Sequence, residues 1–352
     1  MSILVTGGAG FIGSNFVLDW FKINKEDLIV LDKLTYAGNY ENLSSLQSNK
    51  NFFFIRGDIS DSSILDDIFS KFKPRAVINF AAESHVDRSI HGPKEFVETN
   101  IIGTFNLLES ARKYWNLCDL DCKNEFRFLH VSTDEVYGSL DSKDKPFTEE
   151  HKYAPNSPYS ASKASSDHLA RAWHHTFGLP VIITNCSNNY GPMHFPEKLI
   201  PLVITNALSW KEIPIYGSGL QVRDWLYVLD HVSAIRCVLD SGKIGEVYNV
   251  GGWNEKTNID IVNSICSLLD EMQPSKNGTY AKLITHVKDR PGHDSRYAID
   301  ASKIYNELGW KPKENFETGI VKTIKWYLEN SDWVNKVKNK NFEDWVQKQY
   351  DK

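Results

Sequence analysis

Six short runs of almost unbroken apolar residues punctuate the first half of the chain, at 3–6, 28–32, 52–57, 76–80, 126–132 and 181–185. They lack the apolar/polar alternation of a half-exposed strand, so they read as strands buried on both faces of a parallel sheet. Between them, stretches at 14–21, 64–72, 94–114 and 160–177 have apolar residues at helical spacing. Strands alternating with helices predict βαβ units, whose right-handed crossovers place helices on both faces of a doubly wound α/β sheet.

The texture changes after residue 185. Pro192, Pro196, Pro201 and Pro214 fall close together, followed by one short apolar run at 247–250 and helical patterns at 259–272, 302–308 and 318–329. These predict a smaller α+β region. The expected division is a cofactor-binding unit over 1–185, with a return segment at about 225–250, and a mainly substrate-binding unit over 186–352. The tail beyond 331, with Trp333 and Trp345 among Lys and Asn, predicts a short docked helix, and the charges at 336–340 a solvated face.

Composition narrows the function. Of 352 residues, 41% are hydrophobic and 24% charged, which excludes a mainly disordered chain. With 40 Lys+Arg against 45 Asp+Glu, the net charge of −5 leaves no bulk basic field for nucleic acid. No apolar run approaches the roughly 20 residues of a membrane span, and the first residues lack a signal peptide's pattern, so a cytoplasmic protein is expected. Five Cys, an odd count, suit reduced thiols better than a disulfide framework. His174-His175, and Cys118 with Cys122, lack the partners of a metal site, so no metal is expected. No G-x-S-x-G elbow occurs.

The segment Thr6-Gly7-Gly8-Ala9-Gly10-Phe11-Ile12-Gly13 lies between the first predicted strand and helix. Gly7 and Gly10 permit a tight turn and close approach to a pyrophosphate, Gly13 permits close helix–strand packing, and the helix N-terminus attracts phosphate. Asp32 ends the second strand, where a carboxylate accepts from ribose hydroxyls and repels a 2′-phosphate; this favours NAD over NADP, with Lys33 beside it as the countervailing feature. Asp58 and Ile59 end the third strand, beside an expected adenine position. This is a Rossmann-type nucleotide end.

Tyr159 and Lys163 stand four apart on a predicted helix and so share one face. A Lys ammonium there lowers the phenol's pKa and makes it a base near neutrality. Thr133-Asp134-Glu135 follows the fifth strand, whose carboxyl end opens on the ligand crevice. Two neighbouring carboxyls raise one another's proton affinity, so one can serve as acid and the other as base.

The glycine pattern together with Y-x-x-x-K resembles the extended short-chain dehydrogenase/reductase superfamily. Further segments resemble its NAD-dependent nucleotide-sugar 4,6-dehydratases: Ala81-Ala82-Glu83-Ser84-His85-Val86-Asp87-Arg88-Ser89, Ser132 to Gly138, Asn185 to Pro192, Arg223-Asp224-Trp225 and Asp289 to Asp294. Met193, where the family often has an aromatic, and Ser295, where a basic residue is usual, depart from it. The resemblance implies NAD as cofactor, held also by Thr35, Ala82, Ser84, Thr99, Tyr159 and Lys163. It implies a nucleotide-diphosphate sugar as substrate, bordered by Ser84, His85, Arg88, Thr133, Asn188, Lys198 and Leu199 around the sugar and diphosphate. Pro214, Ile215, Tyr216, Arg223, Asn258, Arg290, His293 and Tyr297 are implied around the nucleotide. The implied reaction dehydrates dTDP-glucose to a 4-keto-6-deoxy sugar. The alternatives are dehydration of UDP-glucose, 4-epimerisation, or a non-catalytic NAD-sensing role. A homodimer packed through helices near 103–115 and 160–177 is implied as well.

Overall fold

β-branched and aromatic residues carry six strands through the first half of the chain: Ser2–Thr6 (β1), Asp27–Asp32 (β2), Phe52–Arg56 (β3), Ala76–Asn79 (β4), Arg127–Thr133 (β5) and Val181–Cys186 (β6). Shorter strands follow at Asn188–Tyr190 (β7), Ile213–Tyr216 (β8), Val222–Tyr227 (β9), Val247–Val250 (β10), Glu255–Thr257 (β11) and Ile284–Val287 (β12). The computed structural model describes residues 2–338, 342, 344–346 and 349. In it, β10, β6, β5, β4, β1, β2 and β3 form, in that order, one seven-stranded sheet. Every pairing in this sheet is parallel. This is the doubly wound sheet the sequence predicts.

Successive side chains of each strand enter opposite layers. Ile3 and Val5 join the layer closed by Phe16, Val17 and Trp20 of the helix Phe11–Ile23 and by Ile235 and Val238 of Val228–Ser241. Leu4 enters the layer closed by Leu65 and Phe69 of Ser62–Phe72, Leu107 and Leu108 of Thr104–Leu117, and Ala170 of Pro158–Phe177. Strand order reverses between β1 and β4, so their carboxyl ends diverge and leave a crevice.

A second apolar cluster lies in the C-terminal half, where Ile204, Ile215, Trp225, Ile265 and Ile324 pack together. Two small sheets, β11-β9-β7 and β12-β8, frame it. The helix Ser331–Val337 docks through Trp333, whose indole stacks near Trp326 and donates to Asn42 Oδ1 at 2.7 Å. Lys336 pairs with Glu41, and Lys340 lies outside the described residues.

Several elements differ from expectation. The single helix predicted over 94–114 is Pro93–Phe96, a wider π-type stretch Val97–Gly103, and Thr104–Leu117. π-type turns interrupt helices often at functional sites. Here Asn100, within the stretch, uses its amide to hold Glu83 N at 2.8 Å and Ser162 Oγ at 2.8 Å. Leu199–Leu208 escaped the sequence reading because it is buried almost all round and so has no polar face. Cys118 and Cys122 are joined as a disulfide at the entry to Leu120–Glu125, against the expectation of reduced thiols; Cys186, Cys237 and Cys266 are free.

The glycine turn is sterically specified. Gly7 has φ +68°, and a Cβ on Gly13 would lie 2.3 Å from Gly7 O and 2.8 Å from Gly8 Cα. Gly13→Ala is therefore expected to cost about 1–3 kcal/mol through overpacking against backbone. Urea unfolding measures this; an unchanged midpoint would show the turn to be tolerant.

Candidate active site

A cleft of about 400 Å³ runs from the glycine turn, across the carboxyl ends of β1, β4 and β5, to β8. Gly7, Gly10, Phe11, Ile12 and Gly13 line one end. The helix Phe11–Ile23 presents a first turn with no acidic residue and no side-chain cap, so its N–H groups are open to an anion. Asp32 accepts from Ala9 N and Leu34 N, both at 2.8 Å, and thereby ties the end of β2 to this turn. Burial pushes its carboxyl upward and the two backbone bonds oppose that. Lys33 is held by Asp58 at 2.6 Å. That pairing occupies the one cation that would have favoured a 2′-phosphate. Thr35, Asp58, Ile59, Ala82, Ser84 and Thr99 continue the same wall.

The centre of the cleft is built where β5 meets the helix Pro158–Phe177. Ser157 and Ser160 cap that helix reciprocally and Pro158 opens its first turn, so Tyr159 enters the cleft at a fixed height. Thr133 ends β5; its hydroxyl accepts from Glu135 N at 3.3 Å and bonds the Tyr159 phenol. Burial first, then Glu135, pushes the phenol well above its ordinary value. Lys163 donates to Val131 O at 2.9 Å, and burial lowers its ammonium. The phenol lowering expected from Lys163 is not what governs Tyr159: desolvation raises it, and the opposing group is the Thr133 hydroxyl. Glu135 lines the cleft and is raised by burial, with Arg290, Arg223 and Lys198 opposing. Asp134 is 1% exposed, and its Oδ2 has no hydrogen-bond partner among the described residues. Burial, then Glu135 and Asp224, push its carboxyl well above the usual range.

The far end is cationic. Lys198 donates to Ser84 O at 2.7 Å. Arg223 is 5% exposed and donates to Val222 O and Asp294 O at 2.8 and 2.9 Å. Arg290 meets Asp87 at 3.3 Å, while its Nε is buried with no hydrogen-bond partner among the described residues. Burial lowers His293 to about 4, despite Asp289 at 2.6 Å, so the imidazole is neutral at pH 7. Unspent donors on planar guanidinium groups suit a diphosphate. His85, Asn188, Leu199, Pro214, Ile215, Tyr216 and Asn258 complete this end.

Three sequence-predicted residues do not line the cleft. Asp134 is sealed beneath it. The Arg88 guanidinium lies 3.7 Å from the Tyr36 ring centre and 4.3 Å from that of Trp345, and donates to Glu197 at 2.8 Å. Tyr297 donates to Asp294, with Arg223 over its ring at 4.2 Å, and so backs the cation. Sequence reasoning missed Tyr36 and Glu197, which no local motif marks. It also read Trp345 as packing alone, whereas Trp345 sits over Arg88, and Gln349 donates to Tyr216 Oη at 2.6 Å.

Taken together, a glycine-turn nucleotide end, a Tyr/Lys centre and a cationic far end on a doubly wound sheet define a nucleotide-sugar-modifying short-chain dehydrogenase/reductase. The profile of the GDP-mannose 4,6 dehydratase family matches residues 4–323. The dTDP-glucose 4,6-dehydratase of Salmonella typhimurium is 58% identical, with 100% of this chain and 99% of that protein aligned. The crystal structure of dTDP-glucose 4,6-dehydratase from Bacillus anthracis in complex with NAD has 48% identity and a TM-score of 0.85, over 96% of this chain and 99% of that one. DesIV, the Streptomyces venezuelae dTDP-glucose 4,6-dehydratase with NAD bound, has 44% identity and a TM-score of 0.87, over 96% and 100%. The chain belongs to the GDP-mannose 4,6-dehydratase family and, within it, groups with the dTDP-glucose 4,6-dehydratases.

The Arg88 sandwich gives a stability prediction. Trp345→Ala is expected to cost about 0.5–2 kcal/mol, the range of a cation–π contact between exposed and desolvated limits. Trp345→Phe should retain part of it. Chemical denaturation of the full chain distinguishes these outcomes from no effect.

Proposed function

We propose that this chain dehydrates dTDP-glucose to dTDP-4-keto-6-deoxyglucose, as a hydro-lyase of deoxysugar formation that uses NAD. The observation that carries the reading is the meeting of the Tyr159 phenol, the cleft-lining Glu135 and the sealed Asp134, its carboxyl raised by burial, at the carboxyl end of β5. A 4-epimerase needs no such acid–base pair. Dehydration needs one group to take a proton from C5 and another to give one to the departing C6 hydroxyl.

The crevice fits NAD: the space a Cβ on Gly7 or Gly13 would fill is already against backbone, and Asp32 stands where ribose hydroxyls would lie. Gly7, Gly10, Gly13, Asp32, Asp58 and Thr99 would hold it. When bound, NAD supplies the hydride acceptor for C4 and the hydride returned to C6. Tyr159 takes the proton from the sugar O4, and Thr133 hydrogen-bonds that oxygen. Lys163 supports the phenol and binds ribose. Once C4 is a ketone, C5–H is acidic; Glu135 removes that proton and later returns it. Asp134 is the acid for the C6 hydroxyl as water leaves, a role that requires its carboxyl to turn from beneath the cleft toward the bound sugar. Lys198, Arg223 and Arg290 hold the diphosphate, and Tyr216 and Asn258 border the base. In this division of labour residues 1–185, with the return segment, serve NAD, and 186–352 mainly serve the nucleotide sugar. The dTDP ligand crystallised with the Streptomyces venezuelae relative supports dTDP over UDP.

Val97, Ile102 and Phe105, with Phe177, are exposed apolar residues on the two long helical segments outside the cleft. They support a homodimer through these helices. No helix among the described residues is long and apolar enough to cross a membrane, and a cytoplasmic location agrees with that.

Incubation with dTDP-glucose, then alkali, should develop the ultraviolet absorbance of a 4-keto sugar; a dTDP-galactose product alone would sink the dehydratase reading. Tyr159→Phe should lower kcat by about 10²–10⁴-fold, the range of a positioned proton-transfer group. Glu135→Gln should stop C5 exchange with solvent deuterium. The raised Glu135 carboxyl sets the acid limb of kcat above 4.5, because a base is lost as pH falls through its pKa. Arg290→Gln removes the leading cation opposing that rise and should move the limb to higher pH; a limb that stays put excludes Glu135 as its source. Light scattering should find twice the 40.2 kDa chain mass.

A further inference from the structure

We infer that Asp167 is a positioning residue of this site: a buried carboxylate, one helical turn from Lys163, that supplies the counter-charge for its ammonium and fixes their shared helix against β5. The inference rests on the functional reading above for its consequence in turnover, though not for its electrostatics. Lys163 and Asp167 stand one turn apart on Pro158–Phe177, 4% and 2% exposed. An ammonium taken out of water without a counter-charge carries a penalty of several kcal/mol. Its visible hydrogen bond, to the carbonyl of Val131, is neutral.

The other titratable groups packed around Lys163 are held in their neutral forms. From β6, Cys186 is a buried thiol raised by desolvation, and hence neutral. From the segment before the helix, Tyr153 and Tyr137 are phenols raised by burial, and Tyr153 Oη accepts from Asn185 at 3.1 Å. From β5, His130 is lowered by burial first and by Lys163 next, and so is a neutral imidazole. On the helix itself, Tyr159 is raised. Asp167 and then Cys186 are the groups that oppose the desolvation of Lys163.

One hydrogen bond fixes the Asp167 carboxylate against β5. Ser132 Oγ donates to it at 2.9 Å. Asn79 Nδ2 lies 3.1 Å from His130 Nδ1, and Asn79 Oδ1 accepts from Thr6 Oγ1 at 2.6 Å. The amide nitrogen must donate, so His130 Nδ1 accepts and Nε2 carries the proton. That Nε2 donates to Ser166 Oγ at 3.1 Å and lies 3.3 Å from Asp167 Oδ1, which has no hydrogen-bond partner among the described residues. The register places Thr6 opposite Asn79 and Asn79 opposite His130. A polar row thus crosses three buried strands, from the residue before Gly7 to His130, and meets the Tyr159/Lys163 helix at Ser166. Asp167, next on that helix, ties it to the end of β5 through Ser132, the residue before Thr133.

Removing this negative charge lowers the proton affinity of every group near it. Opposite charges within about 4–6 Å shift a pKa by roughly 1–3 units. In Asp167→Asn, the pH midpoint for reductive methylation of Lys163, followed by mass spectrometry, should therefore fall by about one unit or more. Both limbs of the kcat/KM profile on dTDP-glucose should move to lower pH, and Asp167→Glu should restore both readouts. If Asp167→Asn does not fold, Asp167→Ser carries the same test, since its hydroxyl can still accept from Ser132. An unchanged methylation midpoint overturns the proposal, as does failure of both variants to fold when Asp167→Glu folds. A fallen midpoint in a wild-type protein that does not turn over dTDP-glucose leaves the charge pairing standing and removes the functional reading instead.

Discussion

Moving a carboxylate or an ammonium out of water costs several kcal/mol per ion after relaxation, and this cleft buries many of both signs along one wall. The fold must match each charge with another or with oriented dipoles. It does so by geometry that parallel strands supply without further design. All seven strands point their carboxyl ends the same way, so the chain's turns after β1, β4 and β5 gather at one edge. Glu135 answers to Arg290, Arg223 and Lys198; Arg88 answers to Glu197; Lys33 answers to Asp58. Each pair joins elements far apart in sequence, so forming the site and closing the fold are one event.

Two adjacent carboxyl groups show how this constraint becomes chemistry. Asp134 and Glu135 are neighbours in the chain and lie in the same 3₁₀ turn, Asp134–Tyr137. One residue of separation changes everything about their surroundings. Glu135 faces Arg290, Arg223, Lys198 and the cleft, whereas Asp134 is sealed beside Glu135 and Asp224, with Arg223 and the Thr133 hydroxyl opposing them. The cations oppose the rise of Glu135, while burial and like charge push Asp134 well above the usual carboxyl range. Division of labour between acid and base thus follows from which side of a short turn each group occupies.

How much was legible in the sequence follows from the same physics. Residues that act through backbone geometry or fixed spacing were readable: Gly7, Gly10 and Gly13 in the turn, and Tyr159 with Lys163 one helical turn apart. The long strands were readable because burial on both faces leaves an unbroken apolar run. Strands such as β7 and β11, three residues each, are too short to show a period. Glu197 and Tyr36 were invisible because their meaning lies in Arg88, more than a hundred residues from one of them. The sealing of Asp134 was invisible for a related reason: spacing tells which residues share a turn, not which side of it is covered. The Cys118–Cys122 link likewise depends on a local turn that an odd cysteine count does not reveal.

Asp167 belongs to this second kind. In sequence it is one more acidic residue on an amphipathic helix, four places after Lys163, and the ordinary reading of such a pair is a solvated i,i+4 contact of a few tenths of a kcal/mol. The fold changes its weight by excluding water. Its neighbours are a serine hydroxyl that donates to it and a neutral imidazole 3.3 Å away, and neither cancels a charge. The cation beside it is Lys163. A charge that its neighbours do not neutralise acts on the nearest ion, and here that ion stands one helical turn from the phenol on which proton transfer at the sugar depends.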